Sequence, residues 1–168
     1  MKALDAAEEL VLQGVLGPVL EYLVTKLSHG ILTETGLVLQ IKTSCARYSK
    51  SRDEKIFTFC QNGSCCSTGS IPAQNKRCKL NNYKSEDIGE CAKFEFTPDP
   101  VKGNVTYSDL ATATDGWTPE WVKLLLKDGA VIKCSFDGRI DGNDETEPTY
   151  LDFDCKPEGK FLSSRSNT

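Results

Sequence analysis

Residues 121–136 read WVKLLLKDGAVIKCSF. Val122, Leu124 and Leu126 fall on alternate positions, and Ile132, Cys134 and Phe136 do so again a few residues later. A period of two is the strand repeat, because successive side chains point to opposite faces. Between the two runs, Lys127-Asp128-Gly129-Ala130 carries the Asp-Gly pair that tight hairpin turns favour. The stretch predicts a β-hairpin with one apolar face.

Working outward, the same alternation recurs. LVLQIK (37–42) aligns Leu37, Leu39 and Ile41, and KIFTFC (55–60) aligns Phe57 and Phe59. CAKFEF (91–96) sets Ala92, Phe94 and Phe96 against Lys93 and Glu95. NVTY (104–107) is short and β-branched, and TYLDFD (149–154) aligns Leu151 and Phe153. Seven half-buried strands separated by turn residues predict an all-β fold, an antiparallel sandwich or barrel. The body spans 37–155, and 156–168, ending LSSRSNT, reads as a tail. Residues 61–83 form a long polar stretch, read as a loop fastened by Cys65, Cys66 and Cys78. Just before the opening hairpin lies DGWTP (115–119), a turn. Pro119 cannot donate to a sheet and biases Thr118 towards extended geometry. Trp121, at the start of the strand, is assigned to packing. Trp117, in the turn, is the candidate for ligand or membrane contact.

Residues 1–30 differ from the body. Asp5 and Glu8 have capping-box spacing, and Leu16, Leu20, Leu23 and Leu27 make a stripe along one helical face. Gly30 is a plausible C-cap, and Gly14, Gly17 and Pro18 predict a break near residue 17. As a secretion leader the segment is poor, since Asp5, Glu8 and Glu9 stand where a basic region belongs. The uncharged run 10–20 is short for a bilayer. The segment is read as a helix packed on its own domain or an unprocessed leader, as a partner helix (5–27) through which the chain oligomerises, or, least of all, as a membrane-surface contact.

Eight cysteines, Cys45, Cys60, Cys65, Cys66, Cys78, Cys91, Cys134 and Cys155, are the strongest compositional signal among the 168 residues. They show no CxxC pair, and the single histidine, His29, lies outside their region, so disulfides fit better than zinc. Disulfides imply an oxidising compartment and hence secretion. The sequons at Asn62 and Asn104 agree with it. Neighbouring Cys65 and Cys66 should have different partners; the remaining connectivity is open. Net charge is −4, with no basic field of the kind that binds nucleic acid.

The body contains no histidine to serve as a base, and no Gly-rich phosphate loop, so no enzyme is expected. In DGRIDGNDETE (137–147), Asp137, Asp141, Asp144 and Glu145 could supply oxygens to calcium, although Arg139 and Pro148 break the EF-hand pattern. A solvated turn fits the same residues. Basic residues gather elsewhere, Lys50, Arg52 and Lys55 in one segment and Lys76, Arg77, Lys79 and Lys84 in another. Such a face suits anionic lipid, glycan or an acidic protein, with Lys76, Arg77 and Lys79 as candidate ligand contacts; ordinary solvated surface fits the same residues and is slightly favoured.

IKTSC (41–45), SRDEKIFTF (51–59), NKRC (75–78), GEC (89–91), DGWTPEWVK (115–123) and FDC (153–155) occur in the order seen in the PLAT family (polycystin, lipoxygenase, alpha-toxin). The chain most resembles its secreted, disulfide-containing branch, the embryo-specific protein 3-like group. The resemblance implies a sandwich of two four-stranded sheets and a non-catalytic module that binds lipid or protein, sometimes with calcium. Cys45, Cys78, Cys91 and Cys155 fit the family positions, whereas Cys60, Cys65, Cys66 and Cys134 go beyond them. Taken together, the expectation is a secreted, disulfide-stapled β-sandwich of seven to eight strands. It contacts membrane lipid or a protein partner and requires no cofactor, with calcium as an optional aid. The alternative is a structural protein that assembles through its leucine-striped helix.

Overall fold

The computed structural model describes residues 17–34, 36–141 and 149–158. Among them one helix precedes eight strands: α1 (Gly17–Leu32), β1 (Val38–Thr43), β2 (Lys55–Gln61), β3 (Ser64–Ile71), β4 (Leu80–Tyr83), β5 (Val101–Tyr107), β6 (Pro119–Leu125), β7 (Val131–Ser135) and β8 (Tyr150–Glu158). All pairings are antiparallel, in the order β3-β2-β5-β8-β7-β6-β1-β4. The eight strands are hydrogen-bonded into one continuous sheet, where the resemblance implied two sheets of four, and it curls into a sandwich around one core. Alternation explains the core. Leu39 and Ile41 of β1, Phe57 and Phe59 of β2, Val122 and Leu124 of β6, and Ile132 and Cys134 of β7 are all buried. Edge-to-face aromatic contacts run from Phe57 to Trp117, from Trp117 to Phe136 and from Phe59 to Phe153. Gly103 of β5 stands opposite Phe153, whose ring occupies the space a side chain would fill.

The opening hairpin forms as read, with Gly129 at φ 95° in its turn. Four readings need correction. Residues 61–83 are not a loop: they contain β3 and β4. Asn62 and Gly63, both at positive φ, make a tight hairpin from β2 into β3, and Asn-Gly is a strong signal for that turn. The strand expected at 91–96 is instead a 3-10 turn, Gly89–Lys93, followed by extended chain. The cause is Cys91, which bonds to Cys66 and draws this connection against β3. Phe94 and Phe96 still pack on the core, so their alternation reported burial rather than pairing. Helix α1 continues through Gly30 to Leu32, and Thr33 closes it by donating to the His29 carbonyl. Pro18 sits in its first turn, where a missing N–H costs nothing; the capping residues expected at Asp5 and Glu8 lie outside the described residues. Strand β8 reaches Glu158, beyond the boundary read at 155.

The cysteines form four bonds: Cys45–Cys78, Cys60–Cys65, Cys66–Cys91 and Cys134–Cys155. Cys65 and Cys66 part to different partners, as expected of neighbours on opposite faces of a strand. Cys60 and Cys65 stand directly opposite across β2–β3, and Cys134 and Cys155 across β7–β8, with Cα separations of 4.0 and 3.9 Å. Such closeness suits pairs flanked by, rather than sharing, ladder hydrogen bonds. Of the four cysteines outside the family pattern, Cys60 and Cys65 pair with each other, and Cys66 and Cys134 pair with Cys91 and Cys155.

Candidate functional site

Strand registers gather four connections at one end. Thr43 pairs with Pro119, Lys55 with both Ile71 and Tyr107, and Lys42 with Leu80. Segments 44–54, 72–79, 108–118 and 136–141 therefore lie together, opposite the end that holds the 62–63 and 127–130 turns.

Beneath these loops lies a polar knot. Lys55 opens β2 with the same parity as Phe57 and Phe59, so its side chain enters the core and is fully buried. Its Nζ donates to the Asp53 carbonyl at 2.7 Å and to Gln74 Oε1 at 3.1 Å. The same ammonium lies 5.2 Å from the Trp117 ring and 5.7 Å from that of Tyr107. Burial pushes the Lys55 pKa down to about 7, and Asp53 and Asp115 pull it partly back. Burial likewise raises the Tyr107 phenol, whose hydroxyl donates to the Asp115 carbonyl. Asp53 accepts from the amides of Thr114 and Asp115, and Asp115 accepts from the amide of Arg52. Two carboxylates thus tie the β1–β2 and β5–β6 connections together. Gln74 brings in a third connection by accepting from Lys55 Nζ and, through its backbone carbonyl, from the Ser51 amide, while its side-chain amide donates to the Pro72 carbonyl and the Tyr83 hydroxyl.

Trp117 belongs to this knot, which reverses its predicted role. It is 0% exposed. Its backbone exchanges two hydrogen bonds with Ile140, and its indole N–H donates to Thr43 Oγ1. This bridge turns the ring inward, so ligand contact by Trp117 is ruled out in this conformation. Trp121 is the half-buried one, on the outer face of β6 with the Lys123 ammonium 4.6 Å from its ring.

Above the knot the loops are exposed. Lys76, Arg77 and Lys79 are all in solvent, on the 72–79 connection. Arg47, Lys50 and Arg52 are in solvent on the neighbouring one, together with Tyr48, which is 71% exposed. Lys55, grouped with these cations in the sequence, is not on this surface. Tyr48 was missed, although a tyrosine set among Arg47, Lys50 and Arg52 was a readable signal. On the other flank Asp137 is exposed, and Asp141 is paired with Arg139 at 2.9 Å. Arg139 also donates to the Tyr48 carbonyl and to Thr118, so it braces loops. Asp144 and Glu145 lie outside the described residues. No cluster of three or more potential metal ligands forms among the described residues. Asn62 is exposed at its hairpin tip. Asn104 sits within β5, and its amide donates to Asp152 at 2.8 Å, a bond that a glycan would have to displace. His29 is at the far end, hydrogen-bonded to the Leu126 carbonyl.

No family model and no curated protein matches the sequence. Among solved structures, "Alpha Toxin from Clostridium Absonum" aligns with 70% of this chain at 17% identity and a TM-score of 0.43. The alignment spans 30% of that protein's length. No residue assignment passes from it.

Proposed function

We propose that this chain is a secreted, non-catalytic binding module of PLAT-like type, which meets membrane lipid or a protein partner with the loop end of its sandwich. The observation that carries the proposal is the contrast within that end. Exposed cations and Tyr48 are presented on loops whose roots are locked by Lys55, Asp53, Asp115 and Trp117. A surface held in shape before contact loses little conformational freedom on binding. Four disulfides with no free cysteine among the described residues support an extracytoplasmic setting. No described helix is long and apolar enough to cross a membrane. Calcium enters as an aid rather than a requirement, its candidate oxygens being Asp137 and Asp141 with Asp144 and Glu145.

Liposome flotation and an affinity pull-down, each with and without calcium, test the proposal. Binding in one of them that is lost on mutating the loop end supports it. Two empty experiments remove its content.

Assembly through α1 is the second reading, favoured by Leu23 and Leu27, which are 43% and 38% exposed on that helix. Light scattering of a Leu23→Glu, Leu27→Glu double variant decides it: an unchanged mass rules assembly out.

A further inference from the structure

Segments 36–52 and 62–85 contain eight Lys or Arg residues and no Asp or Glu. The remainder of the chain carries the other twelve cations and all twenty-four acids. Read along the sequence, the two segments are separate basic runs in an acidic protein. The fold joins the first to the latter half of the second at one edge, because β1 of the first pairs with β4 of the second, while β3 ends the strand order on the other side.

Their loops are also joined directly. Cys45 bonds to Cys78, the Cys78 amide donates to the Ser44 carbonyl at 3.1 Å, and the Ser51 amide donates to the Gln74 carbonyl at 2.8 Å. Arg47, Lys50, Arg52, Lys76, Arg77 and Lys79 are thus held side by side, all exposed, and none is in an ion pair among the described residues. The acids that border them are engaged: half-buried Asp53 and Asp115 accept from backbone amides, exposed Glu54 accepts from Ser70, and Asp141 is paired with Arg139. Two large apolar groups share the edge. Tyr48 is 71% exposed, with the Arg47 guanidinium 5.1 Å from its ring, and Leu80 is 41% exposed.

We propose that this basic edge docks on an anionic phospholipid surface, with Tyr48 and Leu80 entering the interface and the cations meeting headgroup phosphates, without calcium. The proposal rests on the binding-module reading and narrows it to one partner. Cations alone would suit any polyanion. The exposed tyrosine and leucine decide for lipid, because an interface accepts an aromatic ring and an alkyl chain beside charged headgroups. A sulfated glycan or an acidic peptide would leave both in water. The cations carry aliphatic stems that lie along such an interface while their charges stay at the phosphates. Calcium is unnecessary here because the edge offers cations, not carboxylates, to the headgroups.

The test is partitioning of the full, oxidised chain onto phosphatidylcholine vesicles and onto vesicles that also contain phosphatidylserine. The expected result is binding to the second kind only, undiminished by EDTA and falling steeply with added salt. Each cation near an anionic leaflet contributes about fivefold in affinity. A Lys76→Gln, Arg77→Gln, Lys79→Gln variant should therefore lose about a hundredfold, with an unchanged circular dichroism spectrum. Tyr48→Ala should lose several-fold at constant charge, and Lys102→Gln, on β5 away from the edge, should lose nothing. Equal binding to both vesicles, dependence on calcium, or full binding by the triple variant overturns the basic-edge inference and leaves a lipid-binding module standing. No binding to either vesicle overturns the inference and the lipid half of the module reading. Retention on a heparin matrix without vesicle binding would do the same.

Discussion

Lys50, Arg52 and Lys55 lie within six positions of one another, and they end in opposite environments. Lys50 and Arg52 stay in solvent on an open connection. Lys55 begins β2, and the strand's parity carries it inward beneath Trp117 and Tyr107. The loop end therefore has two layers built from the same residue types. The deep layer fixes loop shape through buried hydrogen bonds, and the upper layer presents charge. Changes below should read out as stability, and changes above as binding.

The largest separation is expected between the tryptophans. Trp117→Ala should cost about 3–5 kcal/mol in chemical denaturation, as expected for a buried aromatic. Trp121→Ala, half-buried and packed only from outside, should cost about 1 kcal/mol. Equal losses would erase the distinction between the layers.

Next come the staples. Replacing Cys45 and Cys78 by Ser frees a loop of 33 residues and should cost about 3–4 kcal/mol, by the chain-entropy estimate. Doing the same to Cys60 and Cys65, five apart in a hairpin already closed by Asn62-Gly63, should cost about 2 kcal/mol. The reverse order would show that the Cys45–Cys78 bond does not hold the loop end.

Lys55 supplies a pH test. Its folded pKa, about 7, lies below the unfolded value of 10.5, so between these values the unfolded chain holds a proton that the folded chain lacks. Stability should accordingly rise as pH increases through that window, and the cost of burying the charge is fully present below pH 7. A gain on the order of 3 kcal/mol between pH 7 and 10 is expected, and Lys55→Met should remove the slope. A slope that survives the substitution would place the titration elsewhere.

The smallest effects belong to the upper layer. Lys50→Gln and Arg77→Gln should each change stability by less than about 0.5 kcal/mol, since both side chains are exposed. A larger loss would mean that the two layers are coupled.

The sandwich was legible where apolar residues alternate, as in 121–136 and 55–60. β3 was not, because SCCSTGSI buries Cys66 and Thr68 on alternate positions but reaches Ile71 out of step across a register shift, and its other positions are polar, glycine or exposed cysteine. The turn that launches it, Asn62-Gly63, was visible but was read as a glycosylation site. CAKFEF shows the opposite error: alternation there marks a chain lying on the core, held by a disulfide that sequence could not assign. For the tryptophans, parity correctly put Trp121 opposite Val122 and Leu124. What sequence lacked was the Trp117–Ile140 bridge, a contact between residues 23 apart that turns the indole inward. The basic edge was half legible: its two runs were seen, but their union depends on β1 pairing with β4 and on the Cys45–Cys78 bond.

The most direct test of a two-layered binding end is backbone amide NMR of the oxidised protein bound to nanodiscs that contain phosphatidylserine and a paramagnetic headgroup lipid. Signal loss should be strongest at residues such as Tyr48, Lys50, Arg77 and Lys79, with the 127–130 turn at the far end retained. Broadening centred on α1 or on that far turn would contradict it.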